Sequence, residues 1–302
     1  MSVVKDGEHL IYKDPAGNTI KFFDYKGIPF PIFPGNMTKR MAKLPNFKVR
    51  PDDVYICGYV KSGTNWVWEV TNMLLSGLTE NISNNKQSMM LEIKDAEELD
   101  DKPSPRVLNT HLLLPDLPKD IFAKNSRIIY LLRNPKDVCV SHFHHDLGLS
   151  GLYQYNGDWQ NYFQLWLDGH VDYGSWFDYV RHWEEELKLH PNLNVHVLHY
   201  ENLKLNFIEE ARKLASFFGV ERDKQFYERL AEKCDFKTMK AFKDDCYTEV
   251  ENTFWRNNKP NFFRKGVVGD WKTHFTVAQN EQFDAILKER LRGSQLQFTY
   301  EG

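Results

Sequence analysis

Lys61, Ser62, Gly63 and Thr64 follow a short apolar run and precede an amphipathic one. The run Val54-Tyr55-Ile56-Cys57 is β-branched and aromatic, which predicts a buried strand over Val54–Val60. Behind the turn, Trp66, Val67, Val70, Met73 and Leu74 recur at helical spacing. A strand, a tight turn and a helix aim backbone N–H groups and the positive end of a helix dipole at one point, which suits a phosphate. Gly63 lets the backbone approach the anion, and Ser62 and Thr64 bring hydroxyls. Lys61 precedes the glycine, whereas the Walker loop carries its lysine after the second glycine. These four residues alone therefore fit an ordinary strand-to-helix turn with a solvated lysine as well as they fit a phosphate loop.

Three further segments suit the same ligand. In Ile129-Tyr130-Leu131-Leu132-Arg133-Asn134-Pro135, an apolar strand ends at an arginine and a proline opens a helix that carries Ser141. A guanidinium at a strand end can fork onto a phosphate, or it can pair with Asp137 as a structural ion pair. Arg264-Lys265-Gly266 can clamp an anion with two side chains and the backbone, or form a solvated basic loop. His111 follows the short run Arg106–Asn109. A lone histidine is more often structural, but at a strand end beside a phosphate loop it suits a general base.

The elements that must position these residues alternate. Strands are expected at Val54–Val60, Arg106–Asn109, Arg127–Leu132 and Asn194–His199. Helical patterns cover Asp158–Leu167 and Ser175–Leu189, and a third, through Ile208, Ala211, Ala215 and Phe218, stops at Gly219. The order predicts an α/β chain with a central, mostly parallel sheet flanked by helices, whose ligands bind beyond the carboxyl ends of the strands. The 302 residues, without a linker or internal repeat, read as one domain over 1–302. Residues 1–50 are turn-rich and read as an N-terminal covering segment, irregular over the proline-broken stretch Gly27–Gly35. Ser83–Pro105 and Asp244–Lys265 read as long loops, the second as a mobile one.

Composition narrows the partners. A net charge of -3 gives no basic excess for nucleic acid. Aromatic residues make up 14%, enough for both a core and an aromatic-lined pocket. Cys57, Cys139, Cys234 and Cys246 show no zinc-ligand spacing, so no metal is expected. The stretch Met1–Gly7 lacks a signal-peptide apolar run, and no segment reaches the ~18 apolar residues of a membrane helix. A cytoplasmic setting without a membrane partner is the expectation.

Taken in this order, the four segments resemble the cytosolic sulfotransferase family, which moves a sulfuryl group from 3′-phosphoadenosine 5′-phosphosulfate (PAPS) to a hydroxyl or amine and releases 3′-phosphoadenosine 5′-phosphate (PAP). The resemblance runs from about Gly27 to the end and takes in Gly174-Ser175-Trp176 and Tyr200-Glu201-Asn202-Leu203. It implies a sulfotransferase fold akin to that of P-loop nucleotide kinases. It also implies that Lys61, Ser62, Gly63, Thr64, Asn65 and Trp66 cradle the 5′-phosphosulfate, with Trp66 near the adenine. Arg133, Ser141, Arg264, Lys265 and Gly266 would hold the 3′-phosphate, and Tyr200 and Phe236 would flank the adenine. His111 would take the acceptor's proton while Lys61 stabilises the leaving phosphate, without a metal. Lys272, Thr276, Val277 and Glu281 resemble the family's dimerisation motif and imply a homodimer, although Thr276 with Gln279 also spells a capping box.

The chain departs from the family pattern at Val60 for proline, Asn65 for threonine and Cys234-Asp235 for Thr-Ser. Asn109 stands where the family carries a lysine that helps hold the sulfuryl group. Losing that charge-assisted contact would cost roughly two orders of magnitude in rate. The resemblance implies an acceptor pocket against Ile28–Phe33 with Phe30, Met89–Ile93 with Met90, Asn109, His144–Leu149 with His145 and Leu149, and the Asp244–Trp255 loop. Neutral Leu149 favours a phenol or lipophilic alcohol over a charged amine. Two rival readings stand beside the transferase: a non-catalytic relative that binds PAPS or a lipophile, motivated by Asn109 and Val60, and a P-loop kinase, which the absent Walker order disfavours.

Overall fold

A computed structural model describes residues 3–302. Met1 and Ser2, part of the expected covering segment, lie outside the described residues. Four strands form a wholly parallel sheet in the order β6 (Val107–Thr110), β5 (Val54–Gly58), β7 (Arg127–Leu132) and β8 (Val195–His199). Each lies where the sequence pattern places it, within two residues. The register sets Ile56 beside both Asn109 and Ile129, so the ends of β5, β6 and β7 open on one edge.

Alternation along the strands explains why helices cover both faces. Tyr55, Cys57, Leu108, Ile128 and Tyr130 enter one apolar cluster, and Val54, Ile56, Val107, Ile129 and Leu131 enter the other. The second cluster is closed by the helices Thr64–Ser76 and Phe207–Phe218. Expected helix signals hold: Asp158 caps Trp159–Leu167, Ser175 caps Trp176–Leu189, and Gly219 ends Phe207–Phe218 at φ +70°.

The first 50 residues are more regular than the sequence suggests. β1 (Val3–Asp6), β2 (His9–Lys13), β3 (Thr19–Tyr25) and β4 (Ile28–Phe30) form an antiparallel meander. Leu10 pairs with Phe22 and Tyr12 with Ile20, and all four enter the same apolar cluster as Tyr55. Their period-2 signal is short and interrupted by Pro15 and Gly17, which hid it. Part of the expected covering segment over Gly27–Gly35 is thus strand β4. The long loops hold short helical turns: Lys86–Met89 and Ala96–Asp100 in the first, Glu249–Asn252 and Arg256–Asn258 in the second.

Candidate active site

A cavity of about 320 Å3 opens beyond the ends of the parallel strands. One end is built for anions. Lys61 sits at φ +67°, a left-handed conformation that costs a non-glycine residue about 1 kcal/mol or more. Gly63, at φ +104°, is the N-cap of the helix Thr64–Ser76. The ring of Tyr200 covers it so closely that a Cβ there would lie 2.6 Å from Tyr200 Cδ2. The opposite wall repeats the device: Gly266 has φ +64°, and a Cβ would come within 2.1 Å of Phe236 Cδ2. Both glycines therefore meet an aromatic face that no side chain would allow.

Cations gather between these walls. Arg133 donates from Nη1 to the Lys61 carbonyl at 3.0 Å and lies over the Tyr200 ring at 4.4 Å. Its pairing with Asp137, the structural alternative, is loose at 3.8 Å. Asp137 instead accepts the Gly269 and Trp271 N–H groups, each at 2.9 Å, and so fastens the 264–271 segment to the helix Pro135–Gly148. Arg264 and Lys265 both reach Asp270 at 2.5 Å. Burial raises the Asp270 pKa, but these two hydrogen bonds win and bring it down to about 2. The Nε atoms of Arg133 and Arg264 are buried and have no partner among the described residues. Both arginines line the cavity, and two guanidinium groups with unspent donors beside it suit an anion that supplies acceptors.

Of the expected cofactor residues, Lys61, Gly63, Thr64, Asn65 and Trp66 line the cavity on the loop side. Arg133, Ser141, Tyr200, Phe236, Arg264, Lys265 and Gly266 line it as well. Ser62 does not: it is 1% exposed, beneath the turn, with its N–H on the Tyr59 carbonyl. Trp66 donates from its indole to the Cys234 carbonyl at 2.9 Å, so the main chain of a residue that departs from the family pattern still serves the site.

The other end holds His111. Its Nδ1 lies 2.6 Å from the Gly58 carbonyl, which can only accept, so Nδ1 carries the proton and Nε2 is left with its lone pair. Burial, then the Lys86 ammonium, push its pKa well below the ordinary value, so the ring is neutral at pH 7. Lys86 Nζ approaches Nε2 at 3.4 Å. Lys61 faces His145 at 3.3 Å; burial, then Lys86 and Arg133, bring the Lys61 pKa down to about 7.

Among the expected acceptor residues, Met90, His145 and Leu149 line the cavity. Phe30 is a correction. It packs in the core against Tyr25 and Tyr173, and the residues after it, Pro31, Phe33 and Pro34, form the wall, because β4 turns its last side chain inward. Asn109 is a second correction: it is fully buried on β6 and, rather than lining the cavity, binds Lys86. Sequence reasoning missed Lys86, Tyr173 and Asp172 on the cavity wall. Lys86 lies in a polar stretch with no local signal. Asp172 belongs to a buried group with His142 and Asp146, braced by hydrogen bonds from Tyr153 to Asp172 and from Tyr162 to Asp146. At the far surface, Thr276 and Gln279 form the expected capping box, Lys272 pairs with Glu301, and Val277 is 76% exposed.

Comparison with known proteins gives one answer. The family described as "Sulfotransferase domain" matches residues 51–295. Sulfotransferase 1B1 of the dog is 38% identical over 269 residues, covering 85% of this chain and 90% of the relative. Cytosolic sulfotransferase 1 of the zebrafish is 33% identical over 291 residues, 92% and 95% of the two chains. The crystal structure of mouse sulfotransferase SULT7A1 complexed with PAP superposes with a TM-score of 0.73 at 31% identity, covering 94% of this chain and 96% of that one.

Proposed function

This chain belongs to the cytosolic sulfotransferase family, whose enzymes depend on PAPS, and we propose that it transfers the sulfuryl group of PAPS to a hydroxyl of a small lipophilic molecule, with His111 as general base and Lys61 opposite the leaving phosphate. One observation carries the reading. His111, with an unprotonated Nε2 that has the Lys86 ammonium beside it at 3.4 Å, lines the same cavity as Lys61, Arg133 and Arg264.

The residues present fit the donor. Gly63 and Gly266 let the Tyr200 and Phe236 rings settle against the main chain, and both rings line the cavity, where aromatic faces suit a flat adenine. Arg133, Arg264, Ser141 and Lys265 line the cavity and would hold one phosphate, and the helix Thr64–Ser76, which starts at Gly63 on the same cavity, would offer its N-terminus to the other. PAPS supplies the sulfuryl group and departs as PAP. The acceptor oxygen forms the new S–O bond, its proton passes to His111 Nε2, and the electron pair of the broken S–O bond stays on the phosphate oxygen beside Lys61. An anion in this site raises the depressed His111 and Lys61 pKa values by opposing the cationic neighbours that lowered them. Positioning and preorganised charge supply the rate, as in phosphoryl transfer.

The acceptor wall, with Met90, Leu149, Tyr173 and Phe254, is apolar and aromatic, which favours phenols or lipophilic alcohols. Residues 1–302 act as one sulfotransferase domain, since both sheets share an apolar cluster. The exposed Val277, with Lys272, Thr276 and Glu281, forms the contact of a homodimer. Turnover of labelled PAPS with a panel of phenols, steroids, alcohols and amines tests the function. Sulfated product that disappears in His111→Ala supports it. Tight PAP binding without product from any acceptor would establish the non-catalytic relative instead.

A further inference from the structure

Lys86 stands out among the buried groups. It is 5% exposed, lines the cavity and comes from the turn Lys86–Met89, which belongs to neither the phosphate loop nor the His111 strand. Its Nζ touches Asn109 Oδ1 at 3.2 Å and His111 Nε2 at 3.4 Å. Among the described residues no carboxylate lies within 4 Å of it. Buried ammonium groups are costly unless an anion compensates them. Glu92, the nearest acid by its effect on Lys86, spends Oε1 on the His111 N–H at 2.6 Å. Lys86 therefore has no direct ion pair among the described residues, only the longer-range field of Glu92.

Asn109 is shaped to hold this lysine. Its Nδ2 donates to the Lys86 carbonyl at 2.8 Å while its Oδ1 accepts from Nζ, so both ends of one amide clasp the main chain and the side chain of the same residue. Leu91 N–H on the Asn109 carbonyl and the bridge of Met90 to Asn109 tie the following residues to β6 as well. The ammonium is thus placed beside His111 Nε2, the atom that receives the acceptor's proton.

Building on the transferase reading, we infer that Lys86 is a catalytic residue, clasped by Asn109 so that its ammonium holds the oxygens of the sulfuryl group beside His111 Nε2 during transfer. The charge gathered on those oxygens as the S–O bonds exchange is met by Nζ, and no proton moves to or from Lys86. Burial lowers its pKa only to about 8, which leaves it charged at pH 7. Asn109 is then a positioning residue rather than a lost cation.

The contrast between PAPS and PAP tests this, because only PAPS carries the group in question. Affinities of both are measured by calorimetry, without acceptor, for the native protein, Lys86→Met, Asn109→Lys and the double variant Lys86→Met/Asn109→Lys. In Lys86→Met we expect PAPS affinity to fall about tenfold while PAP stays within about threefold, and turnover to fall about a hundredfold. The double variant, which returns an ammonium to the same corner, should recover at least tenfold in turnover and the PAPS preference. It keeps the test sound if Lys86→Met is poorly folded. An unchanged PAPS-to-PAP ratio in Lys86→Met would overturn the inference. Failure of the native protein to sulfate any acceptor would sink the transferase reading, yet the ratio would still decide whether Lys86 holds the sulfuryl group.

Discussion

PAP binding should draw protons into the protein at alkaline pH. Burial holds Lys61 near pKa 7 and Lys86 near 8. Arg133 and Arg264 add to the effect at Lys61, Asp172 opposes it, and His145 faces the same ammonium. At pH 8 a group with pKa 7 is only about one-tenth protonated, and one with pKa 8 about half. Phosphate oxygens placed beside Lys61 favour its charged form and return it toward its ordinary range, whereas Lys86, reserved for the sulfuryl group, is left unchanged by PAP. Binding at pH 8 then takes up roughly one proton, and at pH 6 Lys61 contributes almost none. By linkage, PAP affinity falls as pH rises above 8, approaching about tenfold per unit for each proton taken up. PAP's own phosphates are fully ionised by then, their second pKa lying near ~6. Titration calorimetry in two buffers of different ionisation heat reads the proton count directly. Lys61→Met should remove most of the uptake at pH 8. Zero uptake in the native protein would refute the reasoning. So would full uptake in Lys61→Met, which would shift the titration to Glu92 or Asp146, held near 7 and 8 by burial.

Gly266→Ala forces Phe236 off the turn and strains a φ of +64°, so PAP affinity should drop at least about tenfold by calorimetry. Arg106→Met strands Asp53 in the core, where the two form a fully buried pair at 2.6 Å; urea unfolding should show a loss of about 3–5 kcal/mol. Val277→Asp, at a 76%-exposed position, should shift the protein toward monomer in sedimentation velocity and leave turnover per chain unchanged. A native protein that sediments as a monomer at micromolar concentration would remove the dimer proposal.

The parallel sheet was legible because each strand is a local run of β-branched and aromatic residues, and the helix ends because Asp158, Ser175 and Gly219 act within one turn. The candidate site was legible where chemistry sits at the end of an element, as Lys61, Arg133 and His111 do. The N-terminal meander was not, since its alternation is broken by turns and its stability comes from cross-strand pairs such as Leu10 with Phe22. The direction of Phe30 was not legible either, because the core rather than its neighbours in sequence decides which way a three-residue strand faces.

The sequence by itself determined the family, the strand–turn–helix that presents Lys61, and the basic and imidazole groups around one cavity. These are carried by residues a few positions apart, where backbone sterics and hydrogen bonding act locally. Tertiary structure alone decided that Tyr200 seals Gly63, that Phe236 covers Gly266, and that Trp66 finds the Cys234 carbonyl across 168 residues. It also decided that Asn109, which the sequence presents as a missing cation, grips a lysine 23 residues earlier. Such pairs leave no mark in the local pattern, because packing of the whole chain, not spacing along it, brings their members together.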